Sequence, residues 1–138
     1  MTGGYQHTLD SKNRLFIPAK LRGFLGNVFY VTVAPDTCLW AYPEEDWEEF
    51  RQKVRALPFK VREGMRPLFS NATRCELDSQ GRILITGDQI KFAGLKKNIS
   101  VIGFNNHAEI WDADTWAEKN RQETTPANIR AAMEEIDF

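Results

Sequence analysis

Two copies of one short pattern are the part of this sequence best suited to chemistry. Asp10 precedes Arg14 by four positions, and Asp78 precedes Arg82 by the same spacing. An aspartate that leads into a turn can accept hydrogen bonds from backbone N–H groups two or three residues further on. The position before each arginine holds a residue type that tolerates a positive φ, namely Asn13 and Gly81. We therefore predict one turn geometry used twice, with each aspartate orienting its arginine.

An arginine held in this way can serve two purposes. It can form a surface ion pair, which contributes roughly 0–1 kcal/mol and is purely structural. It can also project from the turn and pair with guanine through two parallel hydrogen bonds in the major groove. Lys12, between Asp10 and Arg14, is a flexible point charge suited to a phosphate. Both explanations stay open at this point, because common ancestry alone could preserve a structural turn.

The two turns belong to a longer internal repeat. Residues 9–17 recur as residues 77–85, at an offset of 68 positions. Downstream, Trp47 and Trp116 follow similar apolar residues in the two halves. We predict a tandem duplication with one unit in residues 1–74 and another in residues 75–138. Units of this size are marginal alone, so we expect the two to pair.

Each unit follows the same order of predicted elements. A short strand ends at the aspartate, and a second strand follows the turn. Short helices are predicted over 18–25 and 87–93, each ended by a glycine. Strands are predicted over 28–33 and 99–104, followed by a turn, a last strand and helices. The fold class is therefore α+β and β-rich, with helices after each unit.

Apolar side chains at helical spacing predict the helices that follow each unit. In the first unit, a helix beginning at Pro43 places one apolar stripe toward the core, formed by Trp47, Phe50, Val54 and Leu57. A second helix, over about 60–70, is expected to turn four side chains inward: Val61, Met65, Leu68 and Phe69. In the second unit, a terminal helix is expected to pack its own stripe, formed by Ile129, Met133 and Ile136.

Charge is distributed unevenly along a chain whose formal net charge is −1. Residues 51–74 hold seven bases and one acid, residues 1–35 hold four bases and one acid, and residues 36–50 hold six acids and no base. Solvated helix faces explain many such runs, yet local basic patches also suit nucleic acid. The overall charge therefore does not exclude a nucleic-acid partner.

Several classes of protein are disfavoured by what the sequence lacks. Cys38 and Cys75 are not in a CxxC pattern, and His7 and His107 have no ligand-spaced neighbours, so we expect no metal and no cofactor. No nucleophile elbow or phosphate-cradling glycine loop is present, so we expect neither an enzyme nor a small-molecule substrate. No signal-peptide pattern or membrane-length apolar run occurs, so we expect a cytoplasmic protein without membrane contact.

Two stretches resemble the signatures of a known family. Residues 4–14, followed by Ile17 and Pro18, resemble the N-terminal signature of the MraZ family, and residues 75–85 resemble its second signature. The similarity extends through Trp111 and Trp116, so it covers nearly the whole chain. Asn13 stands where the family usually has glycine, and Gln80 stands where a lysine would aid a phosphate contact. The second difference makes the first turn the stronger candidate for DNA contact.

The resemblance implies a fold, a partner and a site. Two AbrB-like swapped-hairpin units should interlock within one chain as a pseudo-dimer. Chains should assemble into homo-oligomeric rings, octameric or dodecameric. The ring should bind double-stranded DNA at short direct repeats in the promoter of the division and cell wall gene cluster, regulate its own gene, and associate with the nucleoid. DNA recognition should lie in the two turns, at Asp10, Lys12, Arg14, Asp78 and Arg82.

Two further basic residues are assigned to this site from their charge and position, independently of the resemblance. Lys20 and Arg22 lie in the basic N-terminal region, and we expect them to add phosphate contacts beside the turns. The alternative function is an antitoxin-like swapped-hairpin module that binds another protein. That alternative requires a disordered terminal extension, whereas the terminal segment here carries apolar residues at helical spacing. We therefore expect the segment to be packed and favour the DNA-binding regulator.

Overall fold

A computed structural model describes residues 1–137, so residue 138 of the second predicted unit lies outside the described part. The first half contains β1 (Gly4–Thr8), β2 (Arg14–Phe16), α1 (Ala19–Leu25), β3 (Val28–Val33), β4 (Leu39–Pro43), α2 (Glu44–Arg55), α3 (Phe59–Gly64) and α4 (Arg66–Ser70). The second half contains β5 (Thr73–Glu76), β6 (Arg82–Leu84), α5 (Gly87–Ala93), β7 (Asn98–Phe104), β8 (His107–Asp112), α6 (Ala113–Glu123) and α7 (Pro126–Met133). The order of elements repeats, as the sequence predicts.

The two units exchange strands within one sheet. Its order is β1-β7-β8-β4-β3-β5, and every neighbouring pair is antiparallel. The first strand of each unit therefore pairs with a strand of the other unit: β1 with β7, and β5 with β3. This exchange confirms the predicted α+β class and the two-unit, swapped-hairpin arrangement. The division between residues 74 and 75 stays a prediction.

A second, two-stranded sheet joins the units beside the turns. β2 and β6 are antiparallel, with Leu15 opposite Ile83, and both of these side chains are buried. The pairing extends beyond the strands, because the backbone N–H of Ile17 donates to the carbonyl of Gly81 and that of Ile85 donates to the carbonyl of Asn13. These bonds place the two turns at the same edge of the molecule.

One hydrophobic core serves both units. It contains buried side chains from β2, α1, β3 and β4 of the first unit and from β5, β6, β7 and β8 of the second. The largest of these include Phe29, Leu15, Ile17, Leu39, Ile99 and Ile110. Burial of apolar surface is the main favourable term in folding, so each unit depends on the other for stability.

The two short helices lie where the sequence predicts them. α1 starts after Pro18 and ends at Gly26, which has a φ of 80°. α5 starts at Thr86, whose side chain forms a capping box with Gln89, and ends at Gly94 in the left-handed conformation. Both helices follow directly from the strand after a turn.

The predicted helix over 60–70 is wrong in two respects. It is divided into α3 and α4, because Pro67 has no N–H and is accommodated in the first turn of a new helix. Val61 does not point inward, since 49% of its surface is exposed. Phe69 is partly buried and packs on Trp47, with ring centroids 5.5 Å apart. The inward face therefore comes from α4 and not from α3.

The expectation that the terminal segment is packed is also wrong. α7 forms, and Thr125 caps its N-terminus through the N–H of Asn128. The helix ends at Met133, so Ile136 lies beyond it, and all three residues of the predicted stripe face solvent, with 53% of Ile129, 42% of Met133 and 57% of Ile136 exposed. Helical spacing predicts an apolar face but not the surface that covers it, and the single chain leaves this face uncovered.

Candidate nucleic-acid interface

The first turn is organised by the carboxylate of Asp10. Its Oδ1 atom accepts the backbone N–H groups of Lys12 and Arg14, both at 2.9 Å, and its Oδ2 atom accepts Nε of Arg14 at 2.8 Å. The backbone N–H of Asn13 donates to the Asp10 carbonyl at 3.0 Å. Asn13 has a φ of 60°, which closes the turn. One acid therefore fixes both the backbone and the arginine side chain.

The second turn reproduces this arrangement. Asp78 Oδ1 accepts the backbone N–H groups of Gln80 and Arg82 at 2.9 Å, and Oδ2 accepts Nε of Arg82 at 2.9 Å. The backbone N–H of Gly81 donates to the Asp78 carbonyl at 3.0 Å, and Gly81 has a φ of 79°. The predicted use of one geometry twice is confirmed.

Each arginine leaves its turn partly exposed. The exposed fraction of the side chain is 34% for Arg14 and 24% for Arg82. In both, Nε is bound to the aspartate of the same turn. Nη1 of Arg82 also lies 3.6 Å from Oδ2 of Asp10, so the donor edge of the second arginine is partly engaged within the protein. Within residues 1–137, the terminal nitrogens of Arg14 have no hydrogen-bond partner. The geometry thus presents a donor edge that a ligand could use.

The aspartates carry their negative charge at neutral pH. Hydrogen bonds from the backbone N–H of Arg14 lower the pKa of Asp10, and those from Arg82 lower the pKa of Asp78. Bonds from Lys12 and Gln80 backbone N–H groups act in the same direction. An ionised carboxylate makes the stronger hydrogen bonds to the arginine, so the turn geometry is maintained under physiological conditions.

Residues 12 and 80 occupy the same place in the two turns. Both are exposed, and Lys12 is a cation where Gln80 is neutral. Lys20, the second residue of α1, is also exposed. Of the seven residues predicted for the site, the paired strands therefore bring five together in the turns, while Lys20 and Arg22 lie on the adjoining helix.

Arg22 is half-buried and contacts other groups of the protein. Its Nε donates to the carbonyl of Ile17 at 2.9 Å, and its guanidinium carbon lies 4.7 Å from the ring centroid of Phe16. The ring of His7 lies 5.0 Å from that of Phe16. Burial, assisted by the charge of Arg22, lowers the pKa of His7. Residue spacing does not predict this cluster. The one sequence signal is a difference between the repeats, since Ile90 occupies the position equivalent to Arg22.

Three further features of the described residues concern metal binding, membrane insertion and the cysteines. Across residues 1–137, no cluster of three or more His, Cys, Asp or Glu side chains could hold a metal ion. No helix in this part of the chain is long and apolar enough to cross a membrane. Cys38 and Cys75 are both buried free thiols, and burial raises the pKa of each.

These observations define the class of protein. It is a β-rich pseudo-dimer in which two tandem units exchange strands and present a matched pair of Asp–Arg turns at one edge.

Comparison with known proteins identifies the family. The profile of a family described as "MraZ protein, putative antitoxin-like" matches residues 1–64 and 68–135. A protein named Transcriptional regulator MraZ from Moorella thermoacetica is 44% identical over 139 aligned positions, covering 99% of this chain and 96% of that protein. Proteins of the same name are 41% identical in Heliobacterium modesticaldum, over 99% of this chain and 96% of that protein, and 43% identical in Desulforamulus reducens, over 87% of each. The chain belongs to the MraZ family.

Proposed function

We propose that this protein is a sequence-specific DNA-binding transcriptional regulator that reads DNA through its two turns. The observation that carries the proposal is a pair of partly exposed arginines, Arg14 and Arg82, whose Nε atoms are bound to Asp10 and Asp78. The relatives' shared name, transcriptional regulator, supports the same conclusion. The proposal includes no catalytic step.

The geometry suits direct reading of bases. A guanidinium can donate two parallel hydrogen bonds to O6 and N7 of guanine in the major groove. Because the aspartate already restricts Arg14 and Arg82, little further side-chain freedom is lost when they bind. Lys12 has no comparable restraint and suits a phosphate, whereas Gln80 adds no charge. The first turn is therefore expected to contribute more to affinity, and the exposed Lys20 adds a phosphate contact.

A single pair of turns contacts few base pairs, so assembly matters for affinity. We propose that chains form a homo-oligomeric ring, octameric or dodecameric, which binds several short direct repeats at once. Linking several readers raises the effective concentration of each at a tandem site. The uncovered stripe of α7 is a surface that such an assembly would bury. The target we propose is the promoter of the division and cell wall gene cluster, including this protein's own gene, on the nucleoid.

Footprinting on the promoter upstream of the protein's own gene tests the proposal. We expect protection of regularly spaced repeats by the wild-type protein. Arg14→Ala and Arg82→Ala should each cost about 1–3 kcal/mol per recognised site if the arginine reads a base. Arg51→Ala is the matched control, because Arg51 also donates Nε to an acid, Glu48, but lies on α2. Protection that persists in both turn variants, with folding intact, would reject the site.

A second candidate function is an antitoxin-like module that binds another protein. The exposed stripe of α7 and the antitoxin-like description of the family favour it. Removal of residues 124–138 separates the candidates: DNA contacts by the turns should survive in a shortened regulator, whereas a module whose function lies in α7 would lose its partner. Limited proteolysis of the intact protein shows in parallel whether assembly protects this segment.

A further inference from the structure

We propose that Arg22 is a positioning residue that holds the second turn in the conformation that aims Arg82. The contact of Arg22 with the second turn is called the brace below. Its effect on DNA binding rests on the proposed function, but the brace itself can be measured without DNA. This positioning role differs from the phosphate contact that the sequence predicts for Arg22. Three observations carry it: the anchoring of the guanidinium, its approach to Gly81, and the different residues found at the equivalent place in the first turn.

The guanidinium of Arg22 is anchored on two sides. Nε donates to the Ile17 carbonyl at 2.9 Å, and the guanidinium lies 4.7 Å from the centroid of the Phe16 ring, within the range of a cation–π interaction. His7 packs on the same ring at 5.0 Å. A group held by a hydrogen bond and an aromatic face has little freedom to reach outward for a phosphate.

The anchored guanidinium lies against the second turn. A Cβ atom added to Gly81 would lie 2.6 Å from Nη1 and 2.8 Å from Cζ of Arg22, distances that real Cβ contacts do not allow. Gly81 is buried, although its neighbours Ser79 and Gln80 are exposed. A side chain at position 81 would therefore displace the guanidinium of Arg22 from its anchored position, and the φ of 79° favours glycine as well.

Ile17 closes the connection between the helix and the turn. Its N–H donates to the Gly81 carbonyl at 2.9 Å, and its own carbonyl accepts Nε of Arg22. Gly81 is thus restrained on one side by Ile17 and on the other by Arg22. Since Arg82 follows Gly81 directly, a shift of Gly81 would move the backbone N–H that Asp78 accepts from Arg82.

The first turn is built without this brace. The offset of the repeat places Ile90 at the position of Arg22 and Asn13 at the position of Gly81. Asn13 adopts a φ of 60° despite its side chain, so the turn itself tolerates asparagine. An asparagine at position 81 would meet the guanidinium of Arg22, whereas Asn13 has no arginine at the equivalent place, so we treat the two differences between the repeats as a matched pair.

Hydrogen exchange of the full-length protein, followed by mass spectrometry, tests the brace. Arg22→Lys keeps the charge but loses the planar group that stacks on Phe16 and faces Gly81. We expect exchange in residues 78–84 to become about tenfold faster, equivalent to about 1.4 kcal/mol. Exchange in residues 10–16 should change less, and Lys20→Met on the same helix should leave both turns unchanged. Unaltered exchange in 78–84 would overturn the proposal.

Substitutions that copy the residues of one repeat into the other give a second, independent test. Gly81→Asn alone should disturb the second turn, because the new side chain displaces the guanidinium. Combined with Arg22→Ile, which recreates the pair found in the first turn, it should restore slow exchange in 78–84. A double variant as disturbed as Gly81→Asn alone would reject the close approach as the reason for glycine. The comparison holds even if Arg22→Ile lowers overall stability, since global unfolding also speeds exchange in β3 and β8.

DNA binding then separates the brace from the proposed function. With operator DNA, Arg22→Lys should weaken binding while the slope of log K against log salt stays unchanged, because no phosphate contact is lost. A full-strength Arg22→Lys complex, with Arg22→Ala reducing that slope by about one, would show a phosphate contact instead. If operator binding is absent even in the wild type, the proposed function fails while the exchange result still decides the brace.

Discussion

Nη1 of Arg82 lies 3.6 Å from Oδ2 of Asp10, so the arginine of the second turn is bound to the acid that organises the first. The same Oδ2 atom accepts Nε of Arg14 at 2.8 Å. Among the described residues no reciprocal ion pair joins Arg14 to Asp78. The two turns have the same internal geometry, but the ion pair between them is one-sided: Asp10 contacts both arginines, whereas Asp78 contacts only Arg82 among the described residues.

This inequality predicts that the two aspartates differ in importance. Asp10→Asn should weaken operator binding more than Asp78→Asn, because it removes the charge that faces both Arg14 and Arg82. Asparagine preserves the size of the side chain and one oxygen for the backbone N–H groups. Titration of both variants against the same operator gives the comparison. Equal losses would show that the contact between the turns has no energetic consequence.

The tips of the turns predict a different dependence on salt. The slope of log K against log salt is negative. Lys12→Ala should reduce its magnitude by about one, and Gln80→Lys should increase its magnitude by about one, if both positions face phosphates. Neither change should alter the preferred sequence. Lys53→Ala is the control, because Lys53 is also an exposed lysine but pairs with Glu49 on α2 at 3.4 Å. A slope that is unchanged in both turn variants would remove residues 12 and 80 from the interface.

The hydrogen bonds to Asp10 and Asp78 predict how the free energy of unfolding depends on pH in acid. The pKa values of Asp10 and Asp78 are lower in the folded protein than in the unfolded chain, where aspartate titrates at about 3.9. Their contribution to stability is therefore complete above that value and is lost as the pH falls through the folded-state pKa. Denaturant titrations between pH 6 and pH 3 should show this loss below about pH 4. The loss should be smaller in Asp78→Asn, and an equal loss in that variant would contradict the assignment.

His7 predicts an earlier and separate effect of acid. Burial lowers its folded-state pKa below the value of about 6.5 that histidine has in the unfolded chain. The unfolded state therefore binds the proton first, and stability begins to fall as the pH drops below about 6.5. His7→Gln should remove this part of the pH dependence and leave the loss near pH 4. A wild-type stability that is constant between pH 7 and pH 5 would contradict this reasoning.

The sequence predicts the repeated parts of this molecule well, because each signal occurs twice. Asn13 and Gly81 mark the same left-handed position, and the glycines after α1 and α5 mark the same helix ends. The exchange of β1 and β5 between units does not follow from local pattern and was expected through the family resemblance. The positions of Val61 and Ile129 were mispredicted because helical spacing does not reveal which face finds a partner. The contact between Arg22 and Gly81 joins residues 59 positions apart, a separation that propensity and spacing do not address.

Strand exchange predicts that neither half folds alone. In an isolated chain of residues 1–74, β1 lacks β7, β2 lacks β6, and the core side chains of Leu15 and Phe29 lose their covering from the second unit. We expect this chain to be unfolded by circular dichroism, and coexpression with residues 75–138 to restore a folded complex. A folded, monomeric 1–74 chain would show that the interlocking is not needed for stability.

The uncovered stripe of α7 predicts a role in assembly. Ile129 and Met133 lie one helical turn apart and are 53% and 42% exposed, which is unfavourable for a surface that stays in water. Burying them between chains would recover about 25 cal/mol for each Å² removed from water. Ile129→Asn combined with Met133→Asn should therefore reduce the size of the particle measured by light scattering or native mass spectrometry. Ala131→Ser, on the same helix, should leave the size unchanged.

The smaller particle should keep the two turns intact but bind tandem repeats less tightly, with single repeats affected less, because only the multivalent gain is lost. A particle of full size in the double variant would place the subunit contact elsewhere and leave α7 available for another partner.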